Sequence, residues 1–186
     1  MMRQIYARNP GFREAVRADA EVAAQYRGEP GSFGSRRAAL LYALRLCWES
    51  DSFLAQVVYR AKAAMLRRGI PILPRIAHAF TMMSAQITIG NPVVVKPGVY
   101  IPHGQIVLDG VVEIGEGAVL SPWVSIGLRS GHVHGPKLGR DVKVGTGASL
   151  LGPFEVGPGA SIGPNAVVFK DVPAGATIVA PPAAPL

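Results

Sequence analysis

Along residues 35–80 the apolar positions recur with the period of a helix. "SRRAALLYALRLCWES" spaces Leu40, Leu41, Leu44, Cys47 and Trp48 at i, i+1, i+4, i+7 and i+8. "DSFLAQVVYRAKAAMLRRG" repeats the spacing with Phe53, Leu54, Val57, Val58, Ala61 and Met65. Both predict amphipathic helices with these stripes turned inward. Ser35 and Asp51 stand where N-caps are expected, and Gly69 followed by "IPILP" is a stop, since proline cannot continue the hydrogen-bond ladder. A short further helix is expected around "RIAHAF". The first 34 residues, with Gly28-Glu29-Pro30-Gly31, are weakly patterned and predict no firm element.

From residue 87 the helical period disappears and the chain counts in sixes. Every sixth residue from Ile114 reads Ile114, Leu120, Ile126, then Leu138, Val144, Leu150, Val156, Ile162 and Val168, with a histidine at position 132 as the break. The fifth place of each unit holds Ala118, Val124, Val142, Ala148, Phe154, Ala160, Ala166 and Val172. So short a repeat cannot be a helical solenoid, and it predicts a parallel β-helix whose first and fifth residues fill a narrow shaft. Upstream, Ile89, Val95, Ile101 and Val107 keep the count, and the seven-residue step to Ile114 predicts one extra residue bulging near "DGVVE". The domains are thus a helical region at 1–80, a β-helix at 87–178 and a C-terminal tail at 179–186.

Charge divides the same way. Residues 1–80 hold 13 Lys and Arg against 6 Asp and Glu, whereas residues 81–186 hold 6 of each. The cations Arg60, Lys62, Arg67, Arg68 and Arg75 of the second helical stretch read as a basic face on an oligomerising helix, in preference to contact with an anionic lipid surface. No recognition motif for nucleic acid accompanies them. The single cysteine, Cys47, leaves no internal disulfide or multi-cysteine metal site. The charged N-terminus and the lack of a long apolar run predict a cytoplasmic protein.

The segments "VYIPHG" (99–104) and "HVHGPKLGRDVKVGTGASLLGPFEVGPGASIGPNAVVFKDVPAGATIV" (132–179), behind a helical domain, resemble the hexapeptide-repeat acyltransferases, and among them the serine acetyltransferases. The resemblance implies a left-handed parallel β-helix, homotrimers or dimers of trimers, and acetyl-CoA as co-substrate in clefts between neighbouring coils, with no metal. It implies acetyl transfer to a hydroxyl, which needs a base at neutral pH, and imidazole suits that task. By the same resemblance His103 is the catalytic base. His134, in the extruded loop that breaks the sixes beside His132, matches the second active-site histidine, although Gly135 is an extra residue there. Gly145, Gly147 and Ala148 match the lining of the pantetheine channel, and Lys170 stands where the family meets CoA phosphate. His78 reads as structural.

Three acceptor contacts of the family are absent. Its aspartate in the coil preceding the histidine is Thr88 here, the aspartate just before the histidine is Pro102, and the arginine before the second histidine is Val133. Serine is the acceptor the resemblance names, and a sugar, glycan or natural-product hydroxyl is the alternative. Two other readings stay open: a metal-dependent hydratase of the γ-class carbonic anhydrase type, whose histidine spacing differs from that of His103, His132 and His134, and a non-catalytic coil used for assembly.

Overall fold

The computed structural model describes residues 1–181, so the last five residues of the expected tail lie outside the described residues. Five helices precede the coil: α1 (Met2–Ala7), α2 (Phe12–Tyr26), α3 (Arg36–Glu49), α4 (Asp51–Arg67) and α5 (Leu73–Ala85). The first 34 residues therefore hold two helices that the apolar pattern misses. The buried face of α2 is made of Ala15, Ala20, Ala23 and Ala24, which favour helix strongly yet give little hydrophobic contrast. Ser35 caps α3 by accepting from the Ala38 N–H at 3.1 Å. The cap of α4 is Ser50, which accepts from the Phe53 N–H, and Asp51 is the first helical residue. Among the described residues no helix is long and apolar enough to cross a membrane.

The chain then winds about five turns of a left-handed parallel β-helix with three flat faces. Sheet one stacks β1 (Ile87–Ile89), β3 (Ile106–Leu108), β6 (Ser125–Gly127), β9 (Ser149–Leu151) and β12 (Val167–Val168). Sheet two stacks β2 (Val94–Val95), β4 (Val111–Ile114), β7 (His134–Leu138) and β10 (Glu155–Val156). Sheet three stacks β5 (Val119–Leu120), β8 (Lys143–Val144), β11 (Ser161–Ile162) and β13 (Thr177–Ile178). Every first-place residue from Ile114 to Val168 is buried, position 132 excepted, and so is each fifth-place residue named above.

The extra residue upstream is not near "DGVVE". Leu108 is fully buried and Val107 is 45% exposed, so Leu108 occupies the inward place. Ile87 pairs with Ile106 and Tyr100 bridges Val119, each a step of nineteen, whereas Val107 pairs with Ser125, a step of eighteen. The added residue thus lies in the corner 102–105, between Ile101 and Ile106. A second irregularity falls where β4 meets β7, where Val111 faces His134 and Glu113 faces Lys137. There the surplus residue belongs to β7.

The helical stripes are also turned. Leu40, Leu41, Leu44 and Trp48 are exposed on α3, Trp48 at 92%, and Ala39, Ala43 and Leu46 face inward instead. Of the α4 stripe only Phe53 is fully buried, while Gln56, Tyr59, Arg60 and Lys62 are sealed inside. The reason is the open end of the coil. The first rung has no strand beyond it, so its carbonyls need donors from elsewhere. Helix α4 supplies them. Gln56 donates to the Val99 carbonyl at 2.7 Å, Tyr59 to Val93 at 3.2 Å, Arg60 to Val95 and, at 2.8 Å, to Lys96, and Lys62 to Ile89. Asp19 of α2 pairs with Arg60 through two contacts of 2.9 and 3.0 Å and accepts the Val99 N–H at 3.1 Å. Arg60 and Lys62, each 2% exposed, are therefore structural caps and not part of a basic surface.

Replacing Arg60 with Met strands a buried carboxylate and two carbonyls, and should lower stability by about 3–5 kcal/mol in chemical denaturation. Adding Asp19→Leu to that variant should recover only part of the loss, because the carbonyls of Val95 and Lys96 still lack a donor. Burial lowers the Lys62 ammonium from its ordinary 10.5 to about 8. The unfolded chain then binds a proton that the folded chain does not between those values, so this group's contribution to stability falls as the pH drops from about 10.5 to about 8. Relative to a Lys62→Met variant, the wild type should gain on the order of 2 kcal/mol as the pH is raised from 8 to 10. Equal slopes in paired melts would refute the assignment.

Candidate active site

The three corners of the coil carry the outward chemistry. At the corner from sheet three to sheet one, the turns 102–105, 121–124, 145–148 and 163–166 stack on each other. The Trp123 N–H donates to the Gln105 carbonyl at 2.8 Å, Gly147 to Pro122 at 3.0 Å, and Asn165 to Thr146 at 2.9 Å. His103 is exposed on the first of these turns, and Gly145, Gly147 and Ala148 form the third. The structure thus brings the expected base and the expected cofactor segment onto one edge, two rungs apart, about 10 Å at strand spacing. The Ala148 side chain is fully buried in the shaft, so only its backbone faces outward. Gly147 takes φ +73°, and a Cβ there would meet Asn165 Oδ1 at 2.2 Å, so stacking by itself accounts for glycine at this place.

The His103 turn carries the extra residue and is held by two helices. Ser52 of α4 donates to the Pro102 carbonyl at 3.2 Å, and the Gln105 N–H donates to the Ala85 carbonyl at the end of α5 at 3.1 Å. Gly104 lies so close to α5 that a Cβ on it would fall 1.7 Å from the Ala85 oxygen. One more residue widens the corner, and the helical domain presses on it from above, leaving the imidazole outward.

The other candidates lie on the next corner, from sheet one to sheet two. Six residues, 128–133, are extruded there between β6 and β7, while Ile126 still pairs with Leu150 below them. The insert is one hexad long, which is why the count of six survives across it, although His132, which falls on the count, is exposed in the loop. The backbone N–H of His132 donates to the Arg129 carbonyl at 3.0 Å within the loop. His134, exposed, opens β7 and lines a groove of about 350 Å³ on sheet two with Arg8, Val94, Glu113 and Lys137. Lys170 is exposed on the same corner two rungs further on. Within one chain, then, His103 and the Gly145–Ala148 turn occupy one edge of sheet one, and His134 and Lys170 the opposite edge. His78 is half-buried, with Nδ1 3.5 Å from the Lys62 ammonium, and burial together with that charge lowers its pKa.

Thr88 is half-buried and pairs with Val107, Pro102 is half-buried, and Val133 is 65% exposed on the loop. Two further residues of these corners escape the sequence reading. Trp123 is 63% exposed beside the His103 turn, at φ +64°. Arg129 is exposed in the extruded loop and forms no ion pair among the described residues. No periodicity marks either one, although an unpatterned aromatic at a corner and an arginine in a broken hexad are the signals available.

Residues 135–170 match the model "Bacterial transferase hexapeptide (six repeats)", and with the stacked hexads they mark the coil as a hexapeptide-repeat fold. A serine acetyltransferase of Helicobacter pylori is 33% identical over 129 residues, 67% of this chain and 75% of that one, and the chain belongs to the serine acetyltransferase family. The serine acetyltransferase of Mycobacterium tuberculosis is 36% identical over 120 residues, 62% of this chain and 52% of that protein. The solved soybean serine acetyltransferase apoenzyme superposes with a TM-score of 0.76 at 25% identity, over 96% of this chain and 70% of that one. The chain spans about half the length of the first curated relatives it matches.

Gly104→Ala should force the His103 turn away from α5. The expected result is a loss of about 1–3 kcal/mol in thermal stability, and unchanged melting would show that the corner has more room than its backbone contact implies.

Proposed function

We propose that this protein transfers an acetyl group from acetyl-CoA to a hydroxyl acceptor. The observation that carries the reading is the shared corner, where an outward imidazole stands on the same stacked edge as the Gly145–Ala148 turn. His103 takes the acceptor's hydroxyl proton as that oxygen attacks the thioester carbonyl. The tetrahedral oxyanion collapses, the C–S bond breaks, and the leaving thiolate recovers the proton from the imidazolium. His134 steadies the oxyanion. Lys170 meets a phosphate of the cofactor as a charge-assisted donor.

His103 and His134 flank opposite edges of one face, which supports a site completed between copies. In a ring of three parallel coils, the His103 corner of one copy meets the extruded loop of the next, a heterologous contact that closes. The exposed row Leu40, Leu41, Leu44 and Trp48 on α3 supports a second contact, pairing trimers through their helical domains.

His103→Ala should lower thiol release from acetyl-CoA by about 10²–10⁴-fold with an unchanged melting profile. Full turnover in that variant would end the assignment of the base. Co-refolding His103→Ala with His134→Ala chains should restore roughly a quarter of the wild-type rate, the share of interfaces that random mixing of a ring leaves intact. An inactive mixture would instead mean that each site is built within one chain.

A further inference from the structure

The corner that carries His103 demands a left-handed backbone at the same place in each rung. Gln105 (φ +61°), Trp123 (+64°), Gly147 (+73°) and Asn165 (+57°) fill that place in turn. Glycine and asparagine hold such a conformation easily, and a bulky aromatic does not. Trp123 nevertheless stands there with its side chain 63% exposed, so burial in the shaft does not offset the strain. Strained positions of this kind gather at ligand sites. The Trp123 turn is also the rung directly stacked on the His103 turn, through the 2.8 Å bond from its N–H to the Gln105 carbonyl.

Apolar side chains border this point, with the half-buried Gln105 and Ser121 beside them. Pro102 precedes His103, Val107 is exposed on the adjoining strand, and Pro122 adjoins Trp123. At Thr88, Pro102 and Val133 no charge is offered to an amino acid's ammonium or carboxylate. An indole face bordered by proline and valine favours a flat apolar surface on its ligand, as aromatic rings and the C–H faces of pyranose rings present. Serine has no such surface.

Resting on the reaction proposed above, we infer that Trp123 is the platform for the acceptor and that the acceptor is an alcohol carried on or beside a ring with an apolar face. The ring lies against the indole, and its hydroxyl is directed at His103 one rung away.

The test measures thiol release from acetyl-CoA with serine, homoserine, methyl pyranosides and benzyl-type alcohols, using the wild-type protein and Trp123→Gly. Ring-bearing alcohols should turn over faster than serine, and the two ring classes separate a sugar from an aromatic acceptor. Trp123→Gly should raise KM for the preferred ring alcohol about five- to tenfold and leave KM for acetyl-CoA in place. It should also melt at or above the wild-type temperature, because glycine relieves the left-handed backbone. A Trp123 with a merely structural role would lower the melting temperature and leave the acceptor KM alone. Preference for serine with an unaltered KM in the variant overturns the inference and leaves acetyl transfer standing. A shift in KM for acetyl-CoA, or in the assembly mass, overturns it by giving the indole to the cofactor or to a neighbouring copy. Absence of turnover with every alcohol, together with no binding of acetyl-CoA, ends both readings.

Discussion

A parallel coil can repeat indefinitely, and the first rung is where that becomes a liability, because its carbonyls point at nothing. Here the polar row of α4 meets them: Gln56, Tyr59, Arg60 and Lys62 donate to five backbone oxygens of the first coil. Asp19 neutralises the arginine and takes a backbone N–H in return. Buried ion pairs often contribute little net stability, yet breaking one is costly, so this network acts chiefly to fix one docking of helices on coil. That docking also sets the His103 corner, since Ser52 of α4 and Ala85 of α5 hold the turn on either side of Gly104. The cap that ends the solenoid is therefore also the brace of the candidate site.

The coil was legible from its sequence because each hexad puts one branched aliphatic in the shaft, and transfer from water is what apolar periodicity records. The same signal is silent about backbone demand. Arg60 and Lys62 look like a solvated basic face because nothing in the local sequence says that a rung of carbonyls lies above them. Leu40, Leu44 and Trp48 look like a core stripe, and instead α3 packs through alanines and Leu46. The one-residue slip was misplaced because Val107 and Leu108 are both aliphatic, so composition cannot tell which of two adjacent strand residues faces inward. The pairing of Ile87 with Ile106 and the burial of Leu108 decide it.

For the candidate site, "VYIPHG" pointed to the imidazole that proves exposed on a corner, and the broken hexad pointed to the extruded loop. What the sequence could not give was their relation. Counting in sixes places every residue on a rung, whereas assigning it to one of three corners requires the true length of each turn, which the six-residue insert and the one-residue bulge both alter. Once those are placed, His103 and the Gly145–Ala148 turn fall on one edge and His134 on another. Trp123 stayed hidden for a different reason, since a left-handed backbone leaves no mark on hydrophobic patterning.

Corners are where such a molecule can add chemistry cheaply. A residue added within a strand would turn every following side chain to the wrong face. A residue added at a corner leaves the strands on both sides in register, as the His103 turn does between Ile101 and Ile106. A longer loop adds closure entropy only slowly with length, and the six residues ejected between β6 and β7 leave Ile126 seated over Leu150. The aliphatic residues of the shaft stay buried past both departures, and both fall where a side chain is lifted clear of the faces. Trp123 is the third departure on a corner, a strained backbone in place of an altered length. All three flank sheet one, the face whose two edges a neighbouring copy would bring together in the assembly proposed above.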